Sequence, residues 1–145
     1  YKFTKPKVAG LNFSFSGLKT ALLYFVQRET KNNPNFVKEH LNDICASLQY
    51  TIIGILIDKL KLASQETGIK RIAIGGGVSA NSGIRAALMT GEKQFGWKTY
   101  VPKFEYTTDN AAMIGITGYY QFKQGLTGTW SDVPRASWPL DDALQ

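Results

Sequence analysis

The order of apolar and polar residues along the chain predicts four helices and at least two short strands. Phe13 and Phe15 alternate with polar neighbours, as in a short strand or an extended entry to a helix. A first helix is predicted after Ser16 and Gly17, because apolar residues then recur three and four positions apart, and it should end near Thr30. The residues of this apolar stripe are Leu18, Ala21, Leu22, Phe25 and Val26.

A second and much longer helix is predicted after the turn at residues 31–34. Asn33 is suited to cap it, Pro34 fits its first turn, and Gly68 is typical of the position just past a helix end. At about 1.5 Å per residue this helix would be roughly 45–50 Å long, so we expect it to lie across a sheet. Its apolar stripe comprises Val37, Leu41, Ile44, Leu48, Ile52, Ile55, Leu60 and Ala63.

The middle of the chain has the order of elements found in a βαβ unit. Residues 70–74 are typical of a short buried strand, glycines follow at 75–77, and a second strand spans 99–101 before Pro102. The centre of the first strand is predicted at Ile72, Ala73 and Ile74, and the intervening helix is marked by Ile84, Ala87 and Leu88. The spacing is about that of one βαβ unit, so the predicted fold class is α/β.

A last helix is predicted after Asn110, with its end at Gly125. Its apolar positions are Ile114, Ile116, Tyr119 and Phe122. Residues 126–145, which include Trp130 and Trp138, are expected to form a tail packed on the surface of the domain.

Composition is typical of a single folded domain. The 145 residues are 43% hydrophobic and 19% charged, which favours a packed core over disorder. The single cysteine, Cys45, excludes an internal disulfide and a cysteine-based zinc site, and we expect it to be buried beside the core. No apolar run approaches the roughly 20 residues of a membrane span, so a cytoplasmic domain without membrane association is expected. The start at Tyr1 indicates a piece of a longer or processed protein.

Positive charge is concentrated near the start of the chain. Lys and Arg number 17 against 11 Asp and Glu, a net charge of +6, and residues 1–40 hold seven of the basic and two of the acidic residues. This stretch, led by Lys2, Lys5 and Lys7, would attract an acidic partner such as RNA. The alternative is a solvated, flexible lead-in.

The strongest local motif is the stretch GGGVSAN at residues 75–81. Glycines after a parallel strand let a ligand approach the backbone closely, and the following helix N-terminus offers free N–H groups to an anionic or polar ligand. The motif matches neither the P-loop nor G-x-G-x-x-G. The alternative is a tight strand-to-helix turn with Ser79 or Asn81 as helix N-cap, and the residues alone leave both interpretations open.

The loop at residues 107–110, Thr-Thr-Asp-Asn, also lies between a strand and a helix. Asp109 is first of all a candidate N-cap for that helix. However, loops after successive parallel strands lie at the carboxyl edge of a sheet, where open α/β folds bind ligands. Asp109 is therefore also a candidate oxygen ligand for a metal ion.

Two other polar features have plainer alternatives. Ser16 and Lys19 at a helix start suggest a nucleophile and a base, but a serine N-cap beside a solvated lysine is the commoner arrangement. His40 is the only histidine, so this chain contains no His-x-x-x-His metal motif.

Three segments together closely resemble the C-terminal half of the TsaD/Gcp family, the universal tRNA threonylcarbamoyladenosine synthesis proteins. They are FSFSGLKTA at residues 13–21, GGVSAN at 76–81 and TDNAAMIG at 108–115. The ending from Pro134 to Leu140 is similar to the C-terminus of bacterial family members. The resemblance covers nearly the whole chain.

The resemblance implies an actin-like ATPase (ASKHA) fold of two ribonuclease H-like lobes, of which residues 1–145 would be the C-terminal lobe with a helical insert. It implies transfer of a threonylcarbamoyl group from threonylcarbamoyl-AMP to N6 of the adenosine beside the tRNA anticodon, with tRNA and pathway proteins as partners. Gly76, Gly77 and Asn81 would hold the adenylate, and Asp109 would be one ligand of an iron or zinc ion.

The resemblance also defines what this chain lacks. The family's other metal ligands, a pair of histidines, belong to the first lobe, so the chain alone is expected to bind metal weakly and not to catalyse. The resemblance assigns no catalytic residue within it. Two alternatives stay open: a metallo-glycopeptidase, because the family long carried the name O-sialoglycoprotein endopeptidase, and a non-catalytic interaction lobe.

Overall fold

The computed structural model describes residues 1–134, 136 and 137. Within these residues the chain has four α-helices, two short 3-10 turns and two parallel strands, which confirms the predicted α/β class. The chain divides into two compact units, Tyr1–Thr108 and Asp109–Gln145. Both strands belong to the first unit.

The first helix, α1, spans Ser16–Asn32. Phe15 stands at the N-cap position with φ −106° and ψ −7° and makes no capping hydrogen bond, so the predicted cap at Ser16 is wrong. Ser16 is already helical, and its carbonyl accepts a hydrogen bond from Oγ1 of Thr20 at 3.2 Å. Residues 13–15, all within the described part of the chain, form no strand, and the two phenylalanine rings there lie 5.6 Å apart.

The second helix, α2, spans Phe36–Thr67, 32 residues with one interruption, which confirms the predicted long helix. The start of α2 differs from the prediction. Oδ1 of Asn33 accepts a hydrogen bond from the backbone N–H of Asn35 at 3.0 Å, and this bond closes a turn that precedes the helix. The N-cap position belongs to Asn35, so the predicted cap at Asn33 is wrong. Gly68 ends the helix with φ +70°, as predicted.

The helical path of α2 is interrupted at His40, where φ is −118° and ψ is 18°. The His40 ring packs against Phe36, with ring centroids 4.7 Å apart. Leu41, a predicted stripe position, is exposed, whereas Ile44 and Ile55 are buried. The predicted apolar stripe therefore does not match the buried face of the helix at Leu41.

The sheet consists, within the described residues, of β1 (Arg71–Ala73) and β2 (Lys98–Tyr100). The strands are parallel, and α3 (Ser82–Phe95) connects them, which confirms the predicted βαβ unit. Ile72 is buried, Ala73 is exposed and Ile74 is half-buried, so the expected buried strand is buried only at Ile72. Successive side chains of a strand point to opposite faces, and the helices of this unit pack on the face of Ile72.

Two apolar clusters form the core of the first unit, and α2 contributes to both. The first cluster contains Ile72, Ile84, Leu88 and Trp97, with Ile53, Leu56, Ile57 and Leu60 of α2 packed against it. The second cluster contains Phe3, Leu18 and Ile55. Since α2 packs on a cluster that joins Ile72 of β1 to Ile84 and Leu88 of α3, the expectation that the long helix lies across the sheet itself stays a prediction.

The second unit is described mainly by α4, which spans Ala111–Lys123 and confirms the predicted last helix. None of its described residues is buried. Trp130 is fully exposed, and Trp138 lies outside the described residues, so packing of the tail at 126–145 stays a prediction.

Two expectations from composition have different outcomes. Cys45 is exposed, so its predicted burial is wrong; the neighbouring Ile44 occupies the buried position of α2. No helix in the described part of the chain is long and apolar enough to cross a membrane.

Candidate functional site

The glycine turn after β1 depends on Gly76 for its backbone conformation. Gly76 has φ +78° and ψ 173°, a combination that is essentially restricted to glycine. An added Cβ at Gly75, Gly76 or Gly77 would meet no heavy atom within 4 Å. Neither packing nor a positive φ requires glycine at 75 or 77, and their missing side chains leave open space along the backbone where a ligand can approach.

Ser79 closes this turn from the inside. Its buried hydroxyl donates a hydrogen bond to the carbonyl of Gly76 at 2.7 Å, and its backbone N–H donates to the same carbonyl at 3.0 Å. The result is a 3-10 turn over Gly77–Ala80. Because its hydroxyl is used within the turn, Ser79 is not the cap of α3.

Asn81 is the N-cap of α3. Its Oδ1 accepts a hydrogen bond from the backbone N–H of Ile84 at 3.1 Å. Its Nδ2 donates to Oε1 of Gln49, on α2, at 3.1 Å. These two bonds fix the direction in which the amide faces, and they leave one N–H of Nδ2 available to a ligand. The capping interpretation of Asn81 is thus confirmed, and it does not exclude ligand binding by the same side chain.

Gln49 is a site residue that the sequence analysis missed. It is 32 positions from Asn81 in the chain, so no local motif indicates their contact. Gly83 permits the contact, because a Cβ at that position would lie 2.6 Å from Cδ1 of Ile53 and 3.3 Å from Nε2 of Gln49. A glycine in the first turn of α3 therefore allows α2 to approach the glycine turn.

An apolar cavity of about 760 Å³ borders Asn81 and Gln49. Its apolar lining includes Phe13, Phe15, Leu18, Leu22, Leu48 and Ile52. Lys19 and Cys45 also line it, whereas Ser16 does not. Ser16 and Lys19 make no hydrogen bond with each other in the described structure, which gives no support to their interpretation as a nucleophile and base.

Arg85 joins the glycine turn to the segment that follows β2. Its Nε donates to the carbonyl of Ser79 at 2.7 Å, and its Nη2 donates to the carbonyl of Pro102 at 2.9 Å. The side chain is half-buried and has no carboxylate partner among the residues that the structure describes. Its role was not evident from the sequence, because an arginine in the first turns of a helix is usually solvated.

Asp109 opens the second unit, and it is Asn110 that caps α4. Oδ1 of Asn110 accepts a hydrogen bond from the backbone N–H of Met113 at 3.1 Å. The predicted cap at Asp109 is therefore wrong by one residue. The Asp109 side chain is exposed and makes no hydrogen bond or ion pair with the described part of the chain, so its carboxylate is available to a ligand. Within that part, no group of three or more His, Cys, Asp or Glu side chains is arranged to hold a metal ion.

The basic lead-in packs on α2 rather than extending into solvent. Phe3 is buried, the amino group of Tyr1 donates to Oγ of Ser47 at 2.7 Å, and Lys5 pairs with Asp58 at 2.5 Å. These contacts argue against a flexible lead-in, whereas the expected solvation of its lysines is confirmed. Lys2, Lys5 and Lys7 are all exposed.

These features define an α/β chain with a glycine turn at the carboxyl end of a parallel strand and a ligand-sized cavity beside it. The family model for TsaD, described as tRNA N6-adenosine threonylcarbamoyltransferase, matches residues 1–116. The chain belongs to the TsaD family.

Similar proteins carry the same description. The chain is 74% identical over 122 residues to a tRNA N6-adenosine threonylcarbamoyltransferase of Christiangramia forsetii, a match that covers 84% of the chain and 36% of the relative. The match to that of Riemerella anatipestifer is 50% identical and covers 97% and 41%. The match to that of Porphyromonas gingivalis is 47% identical and covers 86% and 37%. The chain thus spans well under half the length of these relatives.

Proposed function

We propose that the full-length protein containing this chain transfers a threonylcarbamoyl group from threonylcarbamoyl-AMP to N6 of the adenosine beside the tRNA anticodon. The observation that carries the proposal is the family match over residues 1–116, together with relatives that bear the transferase description. In the reaction, N6 attacks the carbamoyl carbonyl carbon, and the bond from that carbon to the phosphate oxygen breaks. AMP leaves, and N6 loses one proton.

In this proposal the glycine turn and Asn81 hold the adenylate. The open backbone at Gly76 and Gly77 leaves room for a phosphate, and the N-terminus of α3 supplies partial positive charge. One N–H of the Asn81 amide nitrogen bonds to Gln49, and the other is a donor for a polar atom of the same ligand.

We propose Asp109 as one ligand of an iron or zinc ion. The chemistry of its side chain fits this role, because an exposed carboxylate without a partner in the described residues is an oxygen donor that such ions accept. Further ligands would come from the part of the protein outside this chain. When bound, the ion would act as a Lewis acid toward a carbonyl oxygen.

The remaining parts of the proposal concern the whole protein. It would have the actin-like two-lobe fold, with this chain as most of the second lobe. Its substrate tRNA and its partner proteins of the threonylcarbamoyladenosine pathway would place it in the cytoplasm. The exposed Lys2 and Lys7 provide positive charge suited to an RNA backbone.

The proposal is tested with the full-length protein, its pathway partners, tRNA and radiolabelled threonine. We expect label in tRNA from the unaltered protein, with strong losses on Asn81→Ala and Asp109→Ala. Asp58→Ala is the matched control for Asp109→Ala, because it removes an exposed carboxylate of α2 that pairs with Lys5. Unchanged transfer with Asp109→Ala would contradict its role as a metal ligand.

The two alternatives are outcomes of the same experiment. Cleavage of a sialoglycoprotein by the protein without label in tRNA would favour the metallo-glycopeptidase. Binding to pathway proteins without either activity would favour an interaction lobe.

A further inference from the structure

We propose that Arg85 is a positioning residue that couples the glycine turn, residues 75–81, to the segment at 101–107. The proposal rests on the proposed function for its kinetic consequence, but its structural part does not. It is carried by one side chain that donates to carbonyls in both loops, at 2.7 Å to Ser79 and 2.9 Å to Pro102.

The backbone itself does not make this connection. The last hydrogen bond between the two strands joins the N–H of Ile74 to the carbonyl of Tyr100 at 3.1 Å. Beyond it, no backbone hydrogen bond connects residues 75–81 with 101–107, both of which lie within the described residues. The guanidinium of Arg85 therefore continues the connection past the end of the sheet.

Arginine suits this position for a geometric reason. The guanidinium is planar and holds its N–H donors in a fixed fork, so two carbonyls bound at once are held at a set separation. Lysine has a single ammonium nitrogen and cannot hold both carbonyls in that geometry. The backbone N–H of Arg85 donates to the carbonyl of Asn81 at 3.1 Å, so the fork is anchored on the same helix start that Asn81 caps.

The coupling has a direct consequence for the proposed site. A displacement of the segment at 101–107 is transmitted through Arg85 to the carbonyl of Ser79. The hydroxyl and the backbone N–H of Ser79 both donate to the carbonyl of Gly76, so the displacement reaches the glycine turn. Arg85 would thus set the shape of the glycine turn without touching the substrate. The charge of Arg85, which no carboxylate of the described chain neutralises, also favours an anionic ligand near the turn.

The test uses the full-length protein with Arg85→Met and Arg85→Lys. Arg28→Met is the matched control, because Arg28 is an exposed arginine of α1 whose contacts, the Glu29 carboxylate and the Phe25 ring, lie within the same helix. Amide hydrogen exchange is followed for the N–H groups of Ser79 and Thr107, which are hydrogen-bonded within the two loops. We expect Arg85→Met to accelerate exchange in both loops on the order of tenfold, and Arg85→Lys to do so less.

Steady-state kinetics separate positioning from a purely structural role. We expect Arg85→Met to raise the KM for threonylcarbamoyl-AMP on the order of tenfold, with partial recovery in Arg85→Lys and no change in the melting temperature relative to Arg28→Met. If Arg85→Met does not fold, Arg85→Lys alone is measured and the same directions are expected.

Several results would overturn the proposal. If amide hydrogen exchange becomes faster in only one loop, Arg85 supports that loop alone. If it becomes faster evenly over the whole chain, Arg85 supports the fold in general. Faster exchange in both loops with unchanged KM would remove the positioning role. If exchange behaves as expected and the protein transfers no threonylcarbamoyl group, the coupling stands and the proposed function fails.

Discussion

Nδ2 of Asn81 donates a hydrogen bond to Oε1 of Gln49 at 3.1 Å, and this bond connects the cap of α3 to the long helix α2. The contact brings a helix far away in the chain to the edge of the glycine turn. Both side chains line the cavity of about 760 Å³. Gln49 therefore belongs to the candidate site although no motif includes it.

Replacing Gln49 by methionine should weaken binding of a non-hydrolysable threonylcarbamoyl-AMP analogue to the full-length protein roughly three- to tenfold. Methionine keeps the length and helix propensity of the side chain but removes the acceptor that orients Asn81. Calorimetric titration measures the affinity, and Tyr50→Ala, at an exposed neighbouring position of α2, is the control. Equal affinity of Gln49→Met and the control would show that Asn81 needs no such partner.

Replacing Gly76 or Gly77 by alanine should separate stability from binding. Gly76→Ala forces a side chain into φ +78° and should lower the free energy of unfolding by about 1–3 kcal/mol. Gly77→Ala meets no heavy atom within 4 Å, so stability should change by less than about 0.5 kcal/mol while analogue affinity falls. Urea unfolding and titration check the two effects. Full affinity of Gly77→Ala would argue against a ligand at the turn.

Asn110 and Asp109 should differ sharply in their effects on stability. Asn110→Ala removes the cap of α4 and should cost about 1 kcal/mol of the free energy of unfolding. Asp109→Ala should change it by less than about 0.5 kcal/mol, because the exposed carboxylate makes no bond with the described residues. Urea unfolding of both variants tests this, and the reverse order would mean that Asp109 is the cap.

Glu92 should make stability depend on acid pH. Oε1 of Glu92 accepts hydrogen bonds from Oγ1 and the backbone N–H of Thr99 at 2.6 Å and 2.8 Å, and these bonds lower the pKa of the carboxyl group from 4.5. A lowered pKa in the folded state means stabilisation that is complete above the unfolded pKa and is lost as pH falls through the folded one. Glu92→Gln should therefore lose less stability than the unaltered protein as the pH falls below about 4.5.

The measurement for Glu92 is urea unfolding at several pH values. Glu66→Gln is the control, since the Glu66 carboxylate has none of these hydrogen bonds in the described structure. If Glu92→Gln and Glu66→Gln show the same pH dependence, the bonds to Thr99 do not contribute.

Two glycines in helices should respond oppositely to alanine. Gly91 in α3 is buried, and an added Cβ would lie 2.4 Å from Cε3 of Trp97, so Gly91→Ala should destabilise by about 1–3 kcal/mol. Gly118 in α4 has open space around it, so Gly118→Ala should stabilise by about 0.5–1 kcal/mol through helix propensity. Thermal unfolding of both variants checks the signs, and destabilisation by Gly118→Ala would mean that α4 is tightly covered in the full-length protein.

Local patterns predicted the helices, the βαβ order and the family, but they placed polar residues less well. Three caps were assigned to Ser16, Asn33 and Asp109, whereas the cap positions are one or two residues away, at Phe15, Asn35 and Asn110. A cap position depends on where the backbone leaves the helical region, and of Phe15, Asn35 and Asn110 only Asn110 makes a side-chain capping hydrogen bond. The sequence pattern therefore identifies the turn but not the residue within it.

The sequence by itself determined the long helix, the glycine turn and the family, because each rests on residues close together in the chain or on a motif read in order. Only the tertiary structure decided that Gln49 orients Asn81 and that Arg85 joins Ser79 to Pro102. These contacts join residues 32, 6 and 17 positions apart. The contact of Gln49 depends on how closely α2 packs on α3, and the contacts of Arg85 depend on where the parallel sheet ends. No local pattern of residues encodes either of these.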